Sequence, residues 1–180
     1  MLTLPDVIAP GLTVVFCAPA LGECAALRGH YYAGPGQSFW QLLHDSGLTP
    51  HRLAPADDDS LPAYGLGLVD VVRVSPRGQR PEQYDVRGFL ESVRQNAPSW
   101  VAFNGKHAAA IVARHLGHPA PPLGQVDWRI AAARVFVLPS SSGANRRREY
   151  DGRATRLSWW AELARTTEGV DSRPQEGGRR

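Results

Sequence analysis

Lysine is nearly missing from this chain. Lys106 is the single one, and every other basic residue is arginine. Cysteine is almost as scarce: Cys17 and Cys24 are too few for a four-thiolate iron–sulfur cluster and form no zinc set. Two reduced, structural thiols are the expectation. No apolar run approaches the length of a membrane span, and no basic-then-apolar leader opens the sequence, so no membrane partner is expected. The common nucleotide signatures are also missing. There is no G-x-G-x-x-G, and "FNGKH" lacks the upstream glycine and following hydroxyl of a phosphate-binding loop. "SSSGA" is no nucleophile elbow, because Ser140 stands where that motif needs glycine. His115 and His118 are spaced to touch a metal, but no cluster of carboxylates supports them, so they read as solvated helix-end side chains. No metal and no cofactor are expected.

What is present fits one domain able to bury its own core: 180 residues, 43% hydrophobic and 21% charged. The charge is unevenly placed. Residues 1–145 hold eleven basic and eleven acidic residues, whereas 146–180 hold nine arginines against six acids and supply the whole net +3. An arginine-rich end suits a polyanion such as nucleic acid. A GC-rich genome writing Arg for Lys would produce the same bias.

Short apolar, β-branched runs at 13–17, 66–72, 100–103 and 134–138 predict buried parallel strands. Helical patterns lie at 37–46, 84–95, 105–116 and 155–166. Pro- and Gly-rich loops fill 53–65, 74–83 and 117–127. The alternation predicts an α/β fold, a three-layer αβα sandwich around a mainly parallel sheet of about four strands. Residues 1–168 form the domain, and the basic tail 169–180 is expected to be disordered.

Two strand-to-loop junctions could carry chemistry. "VVFCAPALGE" breaks at Pro19, yet from Cys17 to Gly22 it offers no charge, amide or hydroxyl. "VFVLPSSSGANRRR" follows a buried strand with three hydroxyls, a glycine and three arginines. Hydroxyls, exposed N–H groups and Arg suit phosphate oxygens, and Gly143 permits close approach of a partner. The same composition also describes a plain polar loop. Between the two junctions, Asp70 interrupts the otherwise apolar run 66–72. A carboxylate embedded there is costly without a role or a partner, and an ion pair or helix cap is the structural alternative.

Together the motifs "APGLTVVFCAPALGE", "GHYYAGPGQSFW", "YGLGLVDVV", "FNGKHAA" and "VLPSSSGANRR" resemble the uracil-DNA glycosylase superfamily, in its mismatch-specific uracil/thymine branch, over roughly residues 4–166. The resemblance implies a monofunctional DNA repair enzyme that flips a deaminated or mismatched base out of DNA and hydrolyses its N-glycosidic bond. The base would be uracil, with thymine or hypoxanthine as further substrates. Tyr32 matches the aromatic that stacks on the flipped base. Ala18, Pro19, Ala20 and Asn104 would line the base pocket. Ser140, Ser141, Ser142, Gly143, Ala144, Asn145 and Arg146 match the loop that enters DNA. The family's first motif usually carries a water-positioning Asn, and Ala20 stands in its place. Asp70 is the candidate replacement: it would orient water and stabilise the oxocarbenium-like sugar. At its ordinary pKa near ~3.9 it would be ionised at neutral pH unless burial raised it strongly.

The implied partner is DNA, as a U:G duplex or a single strand, bound by a monomer in a bacterial cytoplasm and associated with the nucleoid. Two other readings stand beside the enzyme. One is a catalytically silent DNA-binding relative, motivated by Ala20. The other is an unrelated small α/β nucleotide-binding protein.

Overall fold

A computed structural model describes residues 4–18, 23–71 and 84–168. Among them the chain runs β1 (Val14–Ala18), α1 (Glu23–Arg28), α2 (Phe39–Asp45), a 3-10 segment (Pro55–Tyr64), β2 (Leu66–Asp70), α3 (Val86–Asn96), β3 (Trp100–Asn104), α4 (Lys106–His115), β4 (Gly124–Ile130), β5 (Ala133–Leu138) and α5 (Arg156–Glu168). The strands form one sheet in the order β2-β1-β3-β5-β4. The first four are parallel, and β4 pairs antiparallel with β5.

Every residue of β1 and β3 is buried, as continuous apolar runs in a doubly covered parallel sheet should be. Helices α2 and α5 pack together, as do α3 and α4, and these two pairs are the outer layers. In α3 the buried Val86, Phe89 and Val93 recur at helical spacing. The Asp85 carboxylate caps its start by accepting from the Gly88 N–H at 2.9 Å.

The sheet has five strands where the sequence suggested about four. The extra one, β4, begins inside the stretch 117–127 read as a loop. Its burial alternates, with Gln125, Asp127 and Arg129 exposed and Val126, Trp128 and Ile130 turned inward. Period-two patterning of this kind is the mark of a half-covered edge strand. Within the stretch 53–65, read as loop, residues 55–64 form a 3-10 segment, and α1 is a helix that the sequence patterns did not predict. The strand expected over 66–72 ends at Asp70. The loop at 74–83 and the tail at 169–180 lie outside the described residues. At the free side of β2, Val7 exchanges both main-chain bonds with Leu68, at 2.9 and 2.7 Å, so the N-terminal segment lies along that edge.

The helix layer behind β1 and β5 is held by aromatic packing. The Trp160 ring lies parallel to Phe16 at 5.6 Å and edge-on to Phe39 at 5.7 Å. All three rings are completely buried, and the Trp160 indole N–H donates to the Pro139 carbonyl at 3.3 Å. Trp160→Ala should therefore lower unfolding free energy by about 3–5 kcal/mol, the usual cost of emptying so large a site, as measured by urea denaturation.

Candidate active site

The chain leaves β1 toward β2 on one side and leaves β3 toward β5 on the other. In such sheets the crevice outside the carboxyl ends of those strands is where ligands bind. Register brings the sequence candidates to this edge. Ala18, the last residue of β1, lies opposite Asp70, the last of β2. Asn104 ends β3 opposite Leu138, and Ser140–Arg146 follow directly from β5. Pro19 and Ala20 lie outside the described residues.

Tyr31 and Tyr32 divide sharply. Tyr31 is a core residue: its N–H donates to Asp58 at 2.9 Å, and its carbonyl accepts from the Trp40 indole at 3.3 Å. Tyr32 is half-buried and stands at φ +53, in the left-handed region. One face of its ring stacks on Phe39 at 4.0 Å with 16° between the planes. Burial pushes the pKa of its hydroxyl well up, and the nearby Asn104 side chain acts in the opposite sense.

Asn104 is a strut. Its Nδ2 donates to Ser141 Oγ at 2.8 Å, and its Oδ1 accepts from the Ser141 N–H at 2.9 Å. Ser141 is accordingly sealed inside, and its hydroxyl also donates to Gln37 at 3.1 Å. The sequence reading grouped Ser141 with the DNA-facing residues; its side chain instead holds the loop to β3. The same bonds spend half of the hydrogen-bonding capacity of the Asn104 side chain on protein partners.

The loop is braced from two other directions. Arg156, at the start of α5, donates to the carbonyls of Ser140 and Ser142 at 3.0 and 3.1 Å and reaches Ser38 Oγ at 3.3 Å. Gly36 and Gly143 meet backbone to backbone, since a Cβ on Gly143 would stand 2.5 Å from the Gly36 carbonyl oxygen. Asn145 turns back to the Ser140 carbonyl at 3.0 Å. What remains exposed is Ala144 at the tip, then Arg146, Arg147 and Arg148. Gln37, Ser38 and Arg156 were not picked out from sequence. The last of them was detectable only as a cation opening a helix, where cations are disfavoured.

Lys106 faces this edge but is committed. Its ammonium lies 2.7 Å from the Asp151 carboxylate, which also accepts from the Leu123 N–H at 3.0 Å. His118 stacks on Trp128 at 5.1 Å, and His115 is exposed on α4. Among the described residues no group of His, Cys, Asp and Glu could hold a metal ion.

Asp70 is the electrostatic anomaly. Its Oδ1 is shut off from solvent and, among the described residues, has no hydrogen-bond partner. Burial, with the negative charge of Asp6 as a lesser cause, pushes its pKa up to about 7. Its charge acts in turn on Cys17, Tyr31 and Tyr32. The Tyr31 hydroxyl is a second buried oxygen without a partner. Among the described residues Asp70 makes no ion pair and caps no helix, the two structural alternatives for it.

A sequence model of the uracil DNA glycosylase superfamily matches residues 5–164, which takes in every site element described above. This chain belongs to that superfamily. A solution NMR structure of a candidate uracil DNA glycosylase from Methanosarcina acetivorans is similar, with 25% identity and a TM-score of 0.58 over 92% of this chain and 96% of the other. Superfamily membership supports a DNA glycosylase activity with DNA as the substrate.

In this glycosylase fold the Asp70 proton is held more tightly than in the unfolded chain. The resulting penalty is absent below about pH 4, grows as pH rises toward 7 and is constant above, with an upper bound of roughly 4 kcal/mol. Asp70→Asn should therefore raise the melting temperature at pH 8 by about 2 °C or more and leave it unchanged at pH 4, as followed by calorimetry.

Proposed function

We propose that the protein is a monofunctional glycosylase of the mismatch-specific uracil/thymine branch. It excises uracil, and thymine or hypoxanthine from mispairs, by hydrolysis and leaves an abasic site. The observation that carries this reading is the Asp70 carboxylate: half-buried, with one oxygen shut off from solvent and without a hydrogen-bond partner among the described residues, and placed by register beside the end of β1.

In this mechanism the target nucleotide leaves the duplex and its base lies against the ring of Tyr32, whose other face is supported by Phe39. Stacking of this kind is worth about 1–3 kcal/mol per base. The stack on Phe39 holds the ring before the base arrives, so little ordering remains to be done. The N-glycosidic bond then breaks, and its electron pair goes to the base. Asp70, ionised, stabilises the cationic sugar and orients a water molecule for attack at C1′. As the new C–O bond forms, the water proton passes to the Asp70 carboxylate. Main-chain N–H groups of the segment leaving β1 at Ala18 hold the departing anion, and no side chain is needed there. The loop tip at Gly143, Ala144, Asn145 and Arg146, where Ala144 and Arg146 are exposed, enters the duplex, with Ser140 and Ser142 toward phosphate.

The lysine count supports hydrolysis without strand cleavage. A Schiff base needs a free amine, and the chain's one lysine is bound to Asp151. Ala20 still favours a second reading, a silent DNA-binding relative, which base-release assays separate from the first.

Asp70→Ala should abolish release of uracil from a labelled U:G duplex while leaving DNA binding intact. Turnover like the unaltered protein's would rule out the assignment. In the unaltered protein, single-turnover rates should rise about tenfold per pH unit below pH 7 and level off above it, because only ionised Asp70 acts. Tyr32→Ala should slow single-turnover release by roughly ten- to a hundredfold, in line with the loss of one stacking contact.

A further inference from the structure

The outer face of α4 and the first turn of α3 enclose a groove of about 650 Å³. Its floor is apolar, from Val86, Ala110 and Ile111, and its walls carry Arg87, His107, Arg114 and His115. All four of these wall residues are exposed. Neither arginine has an ion pair among the described residues. Asp85 is the one acid in the lining, and its carboxylate is engaged as the cap of α3. An unneutralised pair of guanidinium groups beside two imidazoles is a complement for a polyanion.

The groove also has a direction. His107 belongs both to it and to a smaller hollow of about 270 Å³ lined by Asn104, Ser140, Asn145 and Arg147. The two hollows meet at His107, so a course runs from the loop after β5, past the start of α4 and the paired Lys106 and Asp151, to its far end at His115, with Arg147, Arg87 and Arg114 along it. Ten residues of helix cover about 15 Å, the span of about four phosphates along one strand of B-form DNA.

We propose that this groove carries the phosphate backbone of the DNA strand flanking the flipped nucleotide, with Arg87 and Arg114 as its phosphate contacts. The inference rests on the glycosylase reading for its starting point at the β5 loop. It adds a second surface, on the helix layer and away from the scissile bond. The groove tracks backbone and reads no bases, so its contribution is independent of sequence and strongly dependent on salt.

The test compares the unaltered protein with Arg87→Ala/Arg114→Ala. Both are titrated with a fluorescent, lesion-free duplex over a series of salt concentrations, and uracil release is scored on a matched damaged duplex. The double variant should bind several-fold more weakly at low salt, and its log–log salt slope should be shallower by about 1.8, the release of two phosphate contacts. The difference should vanish on a duplex cut short on the side that reaches the groove. Equal affinity and equal slope for the two proteins would overturn the proposal and leave the groove to another acidic partner. An unaltered protein that shows the salt-dependent difference but releases no base would overturn the glycosylase reading and leave the groove standing.

Discussion

One side-chain bridge organises the carboxyl edge of the sheet. The Asn104 amide and Ser141 exchange two hydrogen bonds across 37 residues of sequence, locking the end of β3 to the loop after β5. Because Ser141 is sealed from water, removing either partner would leave polar groups buried and unmatched, which costs more than the bonds themselves contribute. The other parts of the site are hung from this bridge. Gln37 meets the same serine hydroxyl, and Arg156 holds the carbonyls on either side of it. A loop expected to enter DNA is thus rigid at its root and free only at its tip, so its position is set before any partner is met.

Against this stiff frame stands one group that the fold tolerates at a loss. Asp70 ends β2 with an oxygen that is shut off from solvent and has no partner among the described residues, while Asp6 adds a further negative charge nearby. A structure selected for stability alone would place an amide or a hydrocarbon there. Strain of this kind is common where a group is kept ready for a reaction rather than for packing. The neighbouring loop had posed a difficulty, since it offers no polar side chain to an active site. Register offers a polar group from the adjacent strand, because Asp70 lies opposite Ala18, the residue from which that loop departs.

Much of the frame was legible. β1, β2, β3 and β5 are runs of buried apolar residues, and α3 and α4 repeat at helical spacing, so local pattern and tertiary position agree. β4 was lost because Pro- and Gly-rich sequence leads into it, and its alternation is carried by only three inward residues. Asp70 stood out because a lone acid in an apolar run is conspicuous in one dimension. Ser141 did not, because its inward turn depends on an amide far away in the sequence. The binding of Lys106 by Asp151 was hidden for the same reason, with 45 residues between them. Pairings that only the fold creates leave no local trace.

The Val7–Leu68 bridge has a consequence for assembly. β2 is the outermost parallel strand, and an uncovered strand of that kind offers a row of free N–H and C=O groups to any passing chain. By occupying part of that row, the N-terminal segment acts as a guard against sheet-to-sheet joining between molecules. Shortening or tagging the chain at this end is thus an intervention in colloidal behaviour, and it falls on the strand that also carries Asp70.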